Sequence, residues 1–194
     1  MSALPDMRPH MTEEEYLAFE RESELKHEFI DGEVYAMSGA SRNHNLIVGS
    51  TLSALYGQLR GRPRETYPSD MKIRTPSTRS YSYPDITIVC GEPQFSDDER
   101  DVLLNPTLIV EVLSPSTERH DRGLKFQHYR EIDSLQEYVL IAQDKPHIER
   151  FLRQDVGLWQ FSEASGLDAS LELPSVGCEL NLAEIYERVR FDVD

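Results

Sequence analysis

Apolar and polar positions along the chain follow two different periods, and the change from one to the other marks out the elements. Thr12 followed by Glu15 has the spacing of a capping box, and Tyr16, Leu17 and Phe19 open an apolar stripe, which predicts a short helix over Glu13–Ser23. The stretch His27-Glu28-Phe29-Ile30-Asp31-Gly32-Glu33-Val34-Tyr35 alternates on both sides of Asp-Gly, a pair that tolerates the positive φ angles of a tight hairpin, so strands are expected on either side. Ser41 and Asn43 offer caps for a second helix, whose Leu46, Ile47, Ser50, Ala54 and Leu55 form a small apolar face ending near Gly57–Gly61. From Glu65 to Arg74 polar and apolar residues alternate, and Thr75–Ser80 reads as a turn.

The second half of the chain is more apolar. Asp85–Cys90 reads as a strand whose start is set by Pro84, which has no N–H to give to a ladder. Acidic Asp97–Asp101 reads as a loop, and Thr107–Leu113 is a nearly continuous apolar run, as expected of a central strand covered on both faces and stopped by Pro115. Asp121–Ile132 reads as a helix with Leu124, His128, Tyr129 and Ile132 on one side, and Glu137–Ile141 as another buried strand. Ile148–Leu152 and Leu158–Phe161 are expected to pair as a hairpin, and Asn181 to cap a last helix through Val189. This order predicts an α/β or α+β fold with a mixed sheet, in which the strand–helix–strand unit Leu108–Ile141 has parallel strands. No repeat, low-complexity tract or linker interrupts it, so one domain is expected over residues 1–194.

Charge changes the picture in one respect. The formal net charge of −15 opposes long-range attraction to phosphate backbones and anionic lipid, yet residues 35–80 carry 7 basic and 2 acidic side chains. Arg60, Arg62, Arg64, Lys72, Arg74 and Arg79 therefore make either a solvated face beside acidic neighbours or a phosphate-facing patch. Cys90 and Cys178 are the only cysteines, with no CxxC pair, which excludes a disulfide framework or a zinc site and fits a reducing cytoplasm. Met1–His10 has no apolar core of a secretion signal, and no window approaches the roughly 18 apolar residues of a membrane span, so a cytoplasmic protein with no membrane partner is expected.

The chemistry is concentrated in three residues. Glu111 stands between Val110 and Val112 in the most apolar strand, where an ionised carboxylate costs several kcal/mol unless a cation partners it. Asp85 opens the preceding apolar strand, so if the two strands pair, both carboxylates converge at one end of the sheet and make a hard-oxygen site suited to Mg²⁺ or Mn²⁺. Lys125, on the helix that follows, is placed to reach back over the strand ends, where it would position or deprotonate an attacking water or stabilise charge on a phosphoryl transition state. Together the three residue types describe metal-assisted phosphodiester hydrolysis. A glycosidase using two carboxylates is disfavoured, since Trp159 is the only tryptophan available as a sugar platform.

These segments carry a family resemblance. Tyr83-Pro84-Asp85-Ile-Thr-Ile-Val, Pro106-Thr-Leu-Ile-Val-Glu111-Val-Leu-Ser-Pro-Ser-Thr117, Asp121-Arg-Gly-Leu-Lys125 with Tyr129, and Glu137-Tyr138 resemble the Uma-type family of restriction endonucleases within the PD-(D/E)XK nuclease superfamily. Lys26-His-Glu28-Phe-Ile-Asp31-Gly32-Glu33 and His44 match as well, so the resemblance covers about residues 12–150. It implies a restriction-endonuclease-like fold, a mixed central sheet flanked by helices, with DNA as substrate and Mg²⁺ or Mn²⁺ as cofactor. It also implies roles: Asp85 and Glu111 as the two acidic positions that hold metal, Lys125 as the lysine moved from the position now held by Leu113, and Glu28 as a further ligand to metal or water; His44, at the start of the second helix, is placed either to contact phosphate or to tune the site. A homodimer would follow the habit of the superfamily. Residues 151–194, the C-terminal hairpin and helix, are not covered. The alternative is a nuclease-like module that binds nucleic acid or a protein without cutting, which the net charge and the displaced lysine both favour.

Overall fold

A computed structural model describes residues 10–155 and 157–191. The expectation for the N-terminal stretch Met1–His10 thus lies, His10 apart, outside the described residues. Helix α1 (Glu13–Glu22) begins at a complete capping box: Thr12 Oγ1 accepts the Glu15 N–H at 3.2 Å and Glu15 Oε2 accepts the Thr12 N–H at 2.8 Å. Strands β1 (His27–Ile30) and β2 (Glu33–Ala36) form the Asp-Gly hairpin, with φ of 45° at Asp31 and 94° at Gly32, both positive as this turn requires. Helix α2 (Arg42–Leu59) is capped by Ser41, whose Oγ accepts the His44 N–H at 3.1 Å, and buries Ile47, Thr51, Ala54, Leu55 and Leu59.

The alternating stretch after it is two strands, β3 (Arg64–Pro68) and β4 (Lys72–Thr75), and the predicted turn is narrower than expected because Ser80 begins a further strand, β5 (Ser80–Ser82). Then follow β6 (Ile86–Cys90), the short β7 (Val102–Leu103) and β8 (Leu108–Leu113), every residue of which is buried. A helical segment runs as α3 (Glu118–His120), a π-helical turn (Asp121–Lys125) and α4 (Phe126–Tyr129). The chain continues through β9 (Glu137–Ala142), the hairpin β10 (His147–Arg153) and β11 (Trp159–Ser165), a second hairpin β12 (Ser170–Leu173) and β13 (Cys178–Asn181), and α5 (Leu182–Ile185).

Two mixed sheets result. The central one has the order β11-β10-β9-β8-β6-β3, with β8 and β9 parallel as expected; a second has the order β2-β1-β5-β4-β7. One face of the central sheet (Ile86, Ile88, Leu108, Val110, Val112, Val139, Ile141) packs on α2, α5 and the β12–β13 hairpin. The other (Val89, Ile109, Leu113, Tyr138, Leu140) packs with Tyr129 and Ile132. Tyr16, Phe29, Val34, Tyr81 and Val102 make a separate core under α1.

Two expectations are corrected, and one open choice is decided. The helix predicted over Asp121–Ile132 starts at Glu118, ends at Tyr129 and contains the π turn, which leaves Leu124 42% exposed and turns Asp121 and Lys125 inward beside Tyr129, which is buried as expected. Residues four apart in an α-helix are about 40° out of line, and the wider turn cancels most of that drift, so a face read with an α period is one position off. The last helix stops at Ile185 rather than Val189, since Arg188 adopts a left-handed φ of 64° that an α-helix excludes; Asn181 does cap it, accepting the Glu184 N–H at 3.3 Å. The basic residues do not form one phosphate-facing patch: Lys72 pairs with Asp101 at 2.8 Å, Arg74 with Glu13 at 2.7 Å and Arg79 with Asp31 at 3.1 Å, while Arg62 donates to the Gly177 carbonyl at 3.0 Å.

Candidate active site

The site forms where the two sheets meet. The chain leaves the second sheet at β5 and enters the central one at β6, and Tyr83-Pro84-Asp85 is the crossing. Asp85 shares the parity of Thr87 and Val89, the face of the central sheet on which Glu111 lies, and the pairing of Ile86 with Val110 sets the two acids beside each other as expected. Asp85 Oδ2 accepts the Val112 N–H at 2.7 Å, extending the ladder past the end of β6, and lies 3.2 Å from His44 Nε2 at the start of α2.

Glu111 is 4% exposed, and the cation that its burial demands comes from the helical segment: Lys125 Nζ lies 3.2 Å from Glu111 Oε1. The same Nζ is 3.0 Å from Glu28 Oε1 and 3.4 Å from Asp121 Oδ1. The π turn therefore does specific work in placing Asp121 and Lys125 on one inward face; such turns concentrate at functional sites. Tyr129 completes the face, donating from its hydroxyl to Glu111 Oε1 at 2.9 Å and standing 3.1 Å from Ser82 Oγ. Glu28 arrives from the other sheet, on β1 opposite Tyr35.

Three carboxylates (Glu28, Glu111, Asp121) thus surround one ammonium, and a fourth, Asp85, stands beside Glu111. Burial, with the other three acids adding to it, pushes the Glu111 carboxyl up to about 8 against the opposing pull of Lys125. Lys125 is held well above its ordinary value, because the attraction of Glu111 and Glu28 outweighs the cost of burying the ammonium. The structure thus presents Lys125 as a fixed positive charge. A narrow cleft of about 10 Å³, room for about one water molecule, opens onto Glu28 and Lys125 and is lined also by Ser82, His120, His128 and Tyr129 among others.

Among the described residues, no three His, Cys, Asp or Glu side chains are grouped so as to hold a metal ion by themselves. The donor set nevertheless suits a hard cation. Every hydrogen bond and ion pair of the two adjacent acids, among the described residues, falls on Glu111 Oε1 and Asp85 Oδ2, which leaves Glu111 Oε2 and Asp85 Oδ1 for another partner. Mg²⁺ usually takes one or two carboxylates and fills its remaining positions with water and substrate phosphate, not a full protein cage.

The structure brings all five expected residues to one place: Glu28, Glu111 and Lys125 in direct contact, Asp85 and His44 paired beside them. Asp70 lies outside the site, paired with Lys26, its side chain 80% exposed. Asp121 and Tyr129 were not assigned roles from the sequence. Their spacing of four residues on either side of Lys125 was the available signal, masked by the apolar Leu124 that an α period places inside.

The profile of the Uma2 family, described as "Putative restriction endonuclease", matches residues 13–183. The chain belongs to this family. Two uncharacterized proteins from Synechocystis sp. (strain ATCC 27184 / PCC 6803 / Kazusa) are similar to this Uma2 chain. One is 37% identical over 184 residues, 94% of this chain and 95% of the relative; the other is 37% identical over 162 residues, 84% and 92%. A crystal structure described as a putative nuclease belonging to DUF820, from Anabaena variabilis ATCC 29413, aligns with a TM-score of 0.73 at 17% identity, covering 91% of this chain and 97% of that one. That likeness establishes a shared nuclease-like mixed α+β fold. No helix among the described residues is long and apolar enough to cross a membrane.

Proposed function

We propose that this Uma2 chain is a divalent-metal-dependent endonuclease that hydrolyses phosphodiester bonds of DNA. The observation that carries the reading is the surplus of carboxylate: buried Glu111 and Asp121 and half-buried Glu28 within 3.4 Å of one ammonium, with Asp85 beside Glu111 in register. A buried acid cluster with one cation is stabilised by a second positive charge. Asp85 and Glu111 are the residues that would hold Mg²⁺ or Mn²⁺, which when bound supplies Lewis acidity toward a phosphoryl oxygen.

The chain's own groups do the rest. His44 and the Val112 N–H fix Asp85, and Tyr129 and Lys125 fix Glu111 through one oxygen, so the free oxygen of each acid is held in place. The Lys125 ammonium, steadied by Glu28 and Asp121, offsets negative charge that develops on the phosphoryl group. Cytoplasmic DNA is the proposed substrate, a compartment in which the free Cys90 and Cys178 stay reduced. Two copies related by a two-fold axis would cut both strands.

Incubation of plasmid and single-stranded DNA with Mg²⁺ or Mn²⁺ tests the reading. Wild type cleaves, and Asp85→Ala and Lys125→Ala each lose about 100-fold or more; equal rates in all three overturn it. The non-cutting binding module is favoured by one feature, the lysine standing among the acids, and calorimetric titration with Mn²⁺ separates the two, since such a module takes up no ion.

A further inference from the structure

We infer that His120 is the general base of this site, taking a proton from the attacking water while Lys125 remains an ammonium throughout. The inference rests on the nuclease reading above and assigns a step that the five residues named from the sequence leave vacant. Lys125 is poorly placed for it. Its Nζ stands 3.0–3.4 Å from the carboxylates of Glu28, Glu111 and Asp121, and giving up its proton would leave all three buried without a counter-charge.

The cleft that leads to Lys125 and Glu28 contains two histidines, His120 and His128, on one helical wall. Neither ring takes a hydrogen bond among the described residues, so each has a nitrogen lone pair to offer. They differ in what surrounds them. Both are partly buried, but Lys125, Glu28 and Asp121 act on the charge of His120, whereas among the described residues the charge that acts on His128 is that of His120 itself. His120 is therefore the imidazole that belongs to the acid cluster, standing one residue before the π turn that carries Asp121 and Lys125. Burial, reinforced by the Lys125 ammonium, holds it below its ordinary value, so it is neutral and able to accept a proton at neutral pH.

In the step, the water oxygen forms a bond to phosphorus as one water proton passes to a His120 ring nitrogen. The bond from phosphorus to the leaving sugar oxygen breaks, that oxygen takes a proton from solvent, and the imidazolium later returns its own proton to solvent. Lys125 gains and loses nothing.

The test uses the full chain, plasmid DNA and Mn²⁺, and compares wild type, His120→Ala and Lys125→Met. His120→Ala is expected to lose about 100-fold or more in kcat with KM little changed, the size of a general-base contribution. Imidazole added to the buffer should restore about tenfold or more of the lost rate in His120→Ala and none in Lys125→Met, and calorimetry should show Ca²⁺ affinity unchanged in His120→Ala. A wild type that cleaves together with a fully active His120→Ala, or with one that imidazole does not rescue, overturns this assignment and leaves the nuclease reading standing. A wild type that never cleaves overturns both.

Discussion

Glu111 and Glu137 are two glutamates buried on neighbouring strands of one sheet, and they have opposite surroundings. In the register of β8 with β9, Leu108 faces Glu137 and Glu111 faces Leu140, which sends the two side chains to opposite faces. Both are almost wholly buried, 4% and 0% exposed, and burial raises the carboxyl of each. Glu137 Oε2 accepts from the backbone N–H and hydroxyl of Ser175, and Arg150 Nε lies 3.7 Å from Oε1. One acid meets one base, and the result pins the β12–β13 hairpin to the sheet. Glu111 shares one lysine with Glu28 and Asp121, and that lysine and Glu28 line a cleft. Burial of a charge therefore does not mark a functional carboxylate; an excess of acid over base beside open space does.

The largest expected effect comes from removing the cation on each side. Lys125→Met and Arg150→Met should each cost about 3–5 kcal/mol, because each strands buried carboxylates. Millimolar Mg²⁺ or Ca²⁺ should restore stability in Lys125→Met alone; urea midpoints that recover in both variants, or in neither, erase the distinction drawn between the two regions. Next in size is ligand stabilisation of the wild type. Ca²⁺ at 100 times its Kd should add about 2.7 kcal/mol, a gain retained in Glu137→Gln and lost in Glu111→Gln. Ser175→Ala should then cost about 1–3 kcal/mol by leaving Glu137 short of a donor, with DNA cleavage unchanged; a cleavage defect would show that the two faces are coupled.

The smallest effect per unit is the pH slope. A carboxyl raised from an ordinary 4.5 to about 8 favours folding only while protonated, so its contribution is complete below pH 4.5 and is lost as pH rises toward about 8. The slope from one such group is at most about 1.4 kcal/mol per pH unit, and Glu111→Gln should flatten it in urea midpoints taken across that window. Lys125, held protonated above its ordinary value, contributes no slope there and begins to lose its share only above pH 10.5. An unchanged profile in Glu111→Gln would mean that Glu111 is ionised throughout.

Much of the candidate site was legible in the chain because its signals are local. An acid inside an apolar strand stands out whatever packs against it, and Asp85 after Pro84 marks a strand start on geometry alone. The capping box at Thr12 and the Asp-Gly turn depend on residues no more than three apart, and both formed as read. Asp121 and His120 were harder to see, because an α period applied to a π turn puts Leu124 inside in their place, whereas Tyr129 is buried on the side its spacing predicts.

By itself, then, the sequence determined the first two helices, the Asp-Gly hairpin, the parallel β8–β9 pair and the identity of the central carboxylates, all consequences of local spacing, while the short strands β5 and β7 and the β12–β13 hairpin went unread. Tertiary structure alone decided which charges meet. Glu28 lies in one sheet, Glu111 in the other and Lys125 on a helical segment belonging to neither, so no local pattern could say that one ammonium would lie within 3.4 Å of all three acid groups around it. The same holds for the basic stretch, whose Lys72, Arg74 and Arg79 pair with acids far away in the chain. Electrostatic energy depends on distance and burial, and both are set by how the sheets pack.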